Sequence, residues 1–312
     1  MPTIVTVTAN PTLDKSADVE HVMPEHKLRC NTLRYQPGGG GLNVARAIKK
    51  LGGPVMAFYL CGGANGQVLH NLLEQEEIDH QFIPIEDTTR EGLTVFETST
   101  SQQYRFNLPG PTVQEAEWSQ LLEAVFSLSP RPDYLVGSGS LPPGVPDDFY
   151  ARLAHFCRNH HCRFILDTSS RLAMRQALAE GIYLIKPNIR EFRQLVGSAL
   201  EDEAEQENQA RQIVETGQSE VVVVSLGGAG VLLVTKDECQ RIRAPTVKIE
   251  SKVGAGDSTV GGIVLSLARG KSVTEAVRFG VAAGAAAVTT PGTELCRRQD
   301  TEELYQRITG QR

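Results

Sequence analysis

The residues with the clearest chemical potential form the run Val253-Gly254-Ala255-Gly256-Asp257-Ser258, followed by small and apolar residues through Leu267 that fit a buried helix. Glycines immediately before a helix leave backbone N–H groups unpaired, and the helix dipole adds positive potential there, so this pattern predicts an anion site. A carboxylate in that place would repel a phosphate that merely rests there. Asp257 makes chemical sense if it accepts a proton from a hydroxyl while the adjacent N–H groups stabilise charge on a phosphoryl group in transfer. The other reading of Asp257 is an N-cap after a glycine turn.

A second glycine run, Gly38-Gly39-Gly40-Gly41-Leu42-Asn43, lacks the third glycine of G-x-G-x-x-G and so carries no dinucleotide fingerprint. It opens a helix, where bare backbone can approach a polyhydroxyl ligand and Asn43 can both donate and accept; a tight structural turn explains the glycines equally well. Gly270-Lys271-Ser272 ends like a P-loop, but the first glycine of that motif would fall on Leu265. None of the seven histidines lies in a candidate motif, so acid–base work falls to a carboxylate.

These residues need elements to hold them. Val- and Ile-rich runs over 4–8, 134–136, 164–166, 182–185 and 221–224 predict strands, with helical periodicity between them. Over 41–51, Val44, Ala45, Ile48 and Leu51 share one helical face, and Arg46, Lys49 and Lys50 share the other. Such alternation implies a mostly parallel sheet covered on both faces, an open α/β sandwich. Lys186 and Asn188 follow the strand at 182–185, where sheets of this kind place ligands, and Ser225, Gly227 and Gly230 follow the strand at 221–224. Two stretches, roughly 14–36 and 88–108, break the rhythm; strands at 93–98 and 103–106 with turn residues Ser99 and Ser101 suggest a small β lid.

Composition narrows the function classes. The chain has 312 residues, 40% hydrophobic and 22% charged, which suits one large folded domain with an appendage, 1–312. A net charge of -6 and a pI near 5.7 argue against a general nucleic-acid binder. Cys30, Cys61, Cys157, Cys162, Cys239 and Cys296 are scattered without a C-x-x-C pair, and read as reduced thiols. No basic leader precedes the first strand, and no apolar run reaches the roughly 18 residues of a membrane span, so a cytoplasmic protein without membrane or nucleic-acid partners is expected.

The segments Asn10-Pro11-Thr12-Leu13-Asp14, Pro37 through Arg46, Lys186-Pro187-Asn188-Ile189-Arg190-Glu191 and Val253 through Asp257 together resemble the signature set of ribokinase-like sugar kinases, in that family's order and across nearly the whole chain. Lys27 through Cys30, Gln103 through Phe106, Gly139 through Gly144 and Val277 through Gly284 narrow the resemblance to the phosphofructokinase B type. The resemblance implies a ribokinase-like three-layer α/β/α sandwich with a β lid, and ATP-dependent phosphorylation of D-fructose 6-phosphate. Fructose 1-phosphate and tagatose 6-phosphate are the alternative substrates, and a non-catalytic sugar-phosphate sensor is the alternative of another class.

By the same resemblance Asp257 is the base, and Gly254, Ala255 and Gly256 with it form the anion hole. Asp14, Gly38, Gly39, Asn43 and Ser140 hold the sugar, and Arg90 grips its phosphate with Lys27 and Arg29 nearby or reaching from a partner subunit. Lys186, Asn188, Ser225, Gly227 and Gly230 face ATP, and Glu191 orients hydrated Mg2+. Ser251 and Val253 offer carbonyls to K+, although Thr290, Pro291 and Glu294 depart from the pattern beside that loop. A homodimer through the β lid is also expected, with Leu93, Val95, Tyr104 and Phe106 supplying apolar contacts.

Overall fold

In the computed structural model residues 3–310 are described, so two residues at each end of the expected unit 1–312 lie outside the described residues. The chain runs β1 (Ile4–Thr8), β2 (Thr12–Val19), β3 (Leu33–Gly38), α1 (Gly40–Lys50), β4 (Met56–Cys61), α2 (Gly63–Gln75), β5 (Asp79–Pro84), β6 (Arg90–Glu97) and β7 (Gln102–Asn107). It continues through α3 (Glu115–Phe126), β8 (Tyr134–Ser138), α4 (Phe149–Asn159), β9 (Arg163–Asp167), α5 (Arg171–Glu180), β10 (Ile182–Ile185), α6 (Ile189–Val196), α7 (Glu203–Glu215) and β11 (Ser219–Ser225). Last come β12 (Val231–Val234), β13 (Cys239–Ile242), α8 (Ala255–Ala268), α9 (Val273–Ala287) and α10 (Arg298–Thr309).

Nine strands form one sheet in the order β13-β12-β11-β10-β9-β8-β1-β4-β5, parallel except at the β12 and β13 edge. Helices cover both faces, which is why the central strands are apolar on both sides. Val221 and Val223 of β11 face one core with α1, α8 and α9, while Val222 and Val224 face the other with α3, α4 and α5. This is the ribokinase-like α/β/α architecture. The runs at 4–8 and 182–185 form strands with the expected bounds. Strands β4, β5, β12 and β13 are not among the expected ones, although β4 and β12 are apolar runs of the same kind. β5 is mostly exposed, with Ile83 its one buried residue, as befits an edge.

One expectation for α1 fails. Periodicity puts Arg46 on a solvent-facing basic side with Lys49 and Lys50, yet it is only 1% exposed. Its guanidinium donates to both Glu76 carboxylate oxygens at 2.7 Å, and to the Pro37 and Thr293 carbonyls at 2.8 and 3.2 Å. Tertiary partners meet its donors, so a charge that periodicity assigns to water becomes a buried pin between α1, α2 and the loop after α9.

A separate four-stranded sheet, ordered β3-β2-β6-β7, begins at the C-terminal end of the large sheet, where β1 ends at Thr8 and β2 starts at Thr12. Its register aligns Asp14 with Gln36 and Gly92, and Lys15 with Tyr35 and Leu93, while Leu93 faces Phe106. Side chains alternate across a strand, so Asp14, Gln36 and Arg105 share the polar face and Tyr35, Leu93 and Phe106 the other. Tyr35, Leu93 and Phe106 are 44%, 38% and 51% exposed. Val95 of the same face is buried, and Tyr104 is half-buried with its hydroxyl donating to Glu97.

Candidate active site

The glycine run before α8 does what its composition suggests. Gly254 takes a left-handed conformation (φ 73°) as the N-cap residue, and the first intrahelical bond is Ser258 N to the Gly254 carbonyl at 2.8 Å. The N–H groups of Ala255, Gly256 and Asp257 therefore stand free of intrahelical partners, at the positive end of a 14-residue helix. Asp257 sits in that first turn and makes no side-chain cap bond, which removes the N-cap reading. Its Oδ2 instead accepts from Asn43 Nδ2 at 2.9 Å, so α1 supplies the group that orients it. Burial pushes the Asp257 carboxyl up to about 6, helped by the Asp167 charge and opposed by Asn43 and Lys186. A base with that value is ionised at neutral pH and close enough to it to accept a proton.

Lys186, at the mouth of β10, is buried and pairs with Asp167 at 3.1 Å. Burial alone would lower the amine, but Asp167, with Asp257 and Glu191, outweighs it and holds the ammonium above its ordinary value. A Cβ placed on Gly256 would lie 3.4 Å from Lys186 Nζ, so the amine flanks the anion hole directly. Asp167 is a residue that sequence reasoning misses. The available signal is a carboxylate at the C-terminal end of a parallel strand, where open α/β sheets place ligands.

Asn188 and Glu191 have a structural task. Asn188 caps α6 by accepting from the N–H groups of Arg190 and Glu191 at 2.9 and 3.0 Å, while Glu191 Oε2 accepts from Asn188 N at 2.8 Å. This capping box fixes both side chains beside Lys186. Burial, with the Asp167 charge adding to it, holds the Glu191 carboxyl above its ordinary value. Ser225 ends β11 and bridges to Asn188, and Gly227 opens a 3-10 turn into free space. Gly230 (φ 100°) has a different reason to be glycine, because a Cβ there would lie 2.9 Å from Arg243 Cα and collide with the Ile242 carbonyl. Ser251 is buried, with its hydroxyl donating to the Gly292 carbonyl at 2.8 Å and accepting from Val253 N. The loop before α8 is thus laced to the loop after α9.

The sugar side lies under the small sheet. Gly38 and Gly92 flank the Asp14 carboxylate so closely that a Cβ on Gly92 would lie 2.7 Å from Asp14 Oδ1, and one on Gly38 would collide with the same group. Burial raises Asp14 to about 6 against the opposing charges of Arg90, Arg46 and Arg105. Arg105, within a motif of the sequence but given no role there, thus joins the site through its place on β7. Arg90 Nη2 donates to the Asn10 carbonyl at 3.2 Å, and its Nε is buried without a partner. Asn10 Nδ2 donates to Ser140 Oγ at 3.0 Å, while Asn10 Oδ1 has no partner. Gly39 is the N-cap residue of α1. Lys27 and Arg29 are not brought to this cluster; both lie between β2 and β3, and both are exposed.

A cleft with an oriented half-buried carboxylate, free helix N–H groups and a lysine on one side, and a second carboxylate with Arg90 beside it and Arg105 on the same sheet face on the other, can bind two phosphate-bearing ligands and move a proton between them. The model of the pfkB family carbohydrate kinases matches residues 7–300. The chain is 44% identical over 305 residues to the ATP-dependent 6-phosphofructokinase isozyme 2 of Mycobacterium tuberculosis, covering 98% of this chain and 89% of that protein. It is 42% identical over 306 residues to the enzyme of the same name from Escherichia coli, covering 98% of both. A crystal structure of Escherichia coli phosphofructokinase-2 with substrates and products superposes with a TM-score of 0.94 at 42% identity, over 98% of this chain and 99% of that one. Another structure of that enzyme, in complex with potassium, gives the same TM-score at 41% identity, over 99% of this chain and 100% of that one. With the family model spanning nearly the whole chain and the site built on its signature segments, this protein belongs to the pfkB family of carbohydrate kinases.

Proposed function

We propose that this chain transfers the γ-phosphoryl group of ATP to O1 of D-fructose 6-phosphate, giving ADP and D-fructose 1,6-bisphosphate. The observation that carries this reading is Asp257, half-buried at the N-terminus of α8, oriented by Asn43 and raised to about 6. The Asp257 carboxylate accepts the O1 proton as the new O–P bond forms and the bond from the γ-phosphorus to ADP breaks. The N–H groups of Ala255, Gly256 and Asp257, with Gly254 shaping the turn, and the Lys186 ammonium stabilise the charge that spreads over the transferring group. Asp14, Gly38, Gly39, Asn43 and Ser140 position the sugar, and Arg90 and Arg105 hold its existing phosphate. Arg90 Nε, buried without a protein partner, fits that task.

Asn188, Glu191, Ser225, Gly227 and Gly230 form the wall that faces the nucleotide. Among the described residues no cluster of three or more His, Cys, Asp or Glu is arranged to hold a metal. Mg2+ would arrive on the ATP phosphates, with Asn188 and Glu191 holding its waters. There it would neutralise phosphate charge. Carbonyls of the laced loop at Ser251 and Val253 are the candidate K+ ligands, and the Escherichia coli relative is known in complex with potassium. The exposed apolar face of the small sheet fits a homodimer in which two lids pack together and carry Lys27 and Arg29 toward the partner's cleft.

Initial rates of ADP release test the reading, using ATP, Mg2+ and separately fructose 6-phosphate, fructose 1-phosphate and tagatose 6-phosphate. Fructose 6-phosphate is expected to give the highest kcat/KM. Preference for another sugar overturns the substrate, and no ADP release with any sugar overturns catalysis in favour of a sensor.

A further inference from the structure

The far edge of the large sheet carries a second concentration of positive charge that the reaction does not use. A groove of about 380 Å³ lies where β13 meets α9 and α10, and its lining includes Arg243, Arg278, Arg307, Pro245 and Ile308. Its size falls within the range of small-ligand sites. Of the four arginines that line this groove, one finds carboxylate partners. That one is Arg241: its guanidinium lies 3.3 and 3.2 Å from Glu203 and Glu207, and it also reaches Gln206. Arg243, Arg278 and Arg307 find none. Among the described residues none of the three has a carboxylate within ion-pair distance, and the one hydrogen bond among them is Arg307 Nη2 to the Thr246 carbonyl at 3.3 Å.

Three guanidinium groups that line one groove without counter-charge can be joined by an anion, and their planar forks suit phosphate oxygens. Pro245 and Ile308 give the groove an apolar wall beside the charges. We infer that this groove is a binding site for a small organic phosphate, held by Arg243, Arg278 and Arg307. The three arginines come from different elements, a loop and two helices, so the bound phosphate would tie the segment after β13 to α9 and α10. That segment also packs on Gly230 and leads to Gly254, so the occupant shares a wall with the nucleotide side without touching Asp257.

Inorganic pyrophosphate is the first probe, with inorganic phosphate and phosphoenolpyruvate as arms that separate a bare anion from one with an organic part. Modification of arginines by phenylglyoxal, mapped by peptide mass, should show the probe protecting Arg243, Arg278 and Arg307 together. Titration calorimetry should show a binding event that weakens about tenfold or more when either Arg243→Gln or Arg307→Gln removes a charged donor. Both positions lie outside the cleft, so ADP release without the probe should stay at the wild-type level and vouch for the fold. Tighter binding of phosphoenolpyruvate than of phosphate would support an organic ligand. Unprotected arginines, or the same affinity in both Arg243→Gln and Arg307→Gln as in the wild type, would overturn the site, and equal affinity for phosphate and phosphoenolpyruvate would overturn the organic class.

Discussion

On the nucleotide side of the cleft the charged and amide side chains already have their partners: Lys186 pairs with Asp167, Asn188 and Glu191 close a capping box, and Asn43 holds Asp257. On the sugar side, Arg90 Nε, Asn10 Oδ1 and Ser16 Oγ are buried with no protein partner. The first half rests on strand ends and helix termini of a nine-stranded sheet, the second on a four-stranded sheet with one apolar face open. The contrast teaches where preorganisation resides. Dipoles that must meet developing charge are fixed in advance on the rigid half. Donors and acceptors for the sugar stay unmatched until substrate arrives, so a ligand lacking those groups leaves them buried and unpaired, and selectivity follows.

The sharpest way to break this comparison is at Asp257. Asp257→Asn is expected to lower kcat by about two to four orders of magnitude while nucleotide binding persists; near-wild-type turnover in the purified variant would return Asp257 to a structural role. The same group predicts a pH dependence. Its folded value of about 6 lies above the ordinary 3.8, so kcat should fall as pH drops through about 6 and the base is protonated. The sign for stability is opposite: the folded state binds this proton more tightly, so its stabilisation is lost as pH rises across that window. Asp257→Asn should consequently gain about 1 to 2 kcal/mol of stability at neutral pH, read by urea denaturation. Unchanged or lower stability would mean that the carboxylate is better solvated than its burial implies.

Arg46→Met tests the pin between the halves. Removing one member of a buried ion pair costs about 3 kcal/mol or more, and here the Pro37 and Thr293 carbonyls lose a donor as well. A denaturation midpoint equal to the wild type would show that the methionine stem supplies most of what Arg46 does. Next in size, Arg90→Ala should weaken fructose 6-phosphate binding by roughly 1.5 to 3 kcal/mol and leave unphosphorylated fructose almost unaffected. Equal losses for both sugars would make Arg90 a prop for Asn10 and move the phosphate elsewhere. The smallest energetic change is expected at the open face of the lid. Leu93→Asp with Phe106→Asp should reduce the particle mass in light scattering from about twice the 34.0 kDa chain to one chain. A monomeric wild type with full activity would remove the lid-to-lid dimer.

The sequence alone determined the anion hole, because what makes it is local. A glycine that can adopt φ 73°, a helix beginning at the next residue and a carboxylate in its first turn are all written within five consecutive positions. Most of the buried parallel strands were equally legible, since a short unbroken run such as Val221 through Val224 suits a strand covered on both sides. Tertiary structure decided the rest. Arg46 reads as a surface charge by helical periodicity, and only the approach of Glu76, Pro37 and Thr293 from three other parts of the chain makes its burial tolerable. Asp167 is an ordinary strand-end residue until β10 brings Lys186 beside it. Arg105 comes onto the same sheet face as Asp14 only through the register that stacks β7 on β6 and β6 on β2. Periodicity reports which side of its own element a residue occupies. Whether that side meets water, a counter-charge or a substrate depends on contacts between residues far apart in the chain.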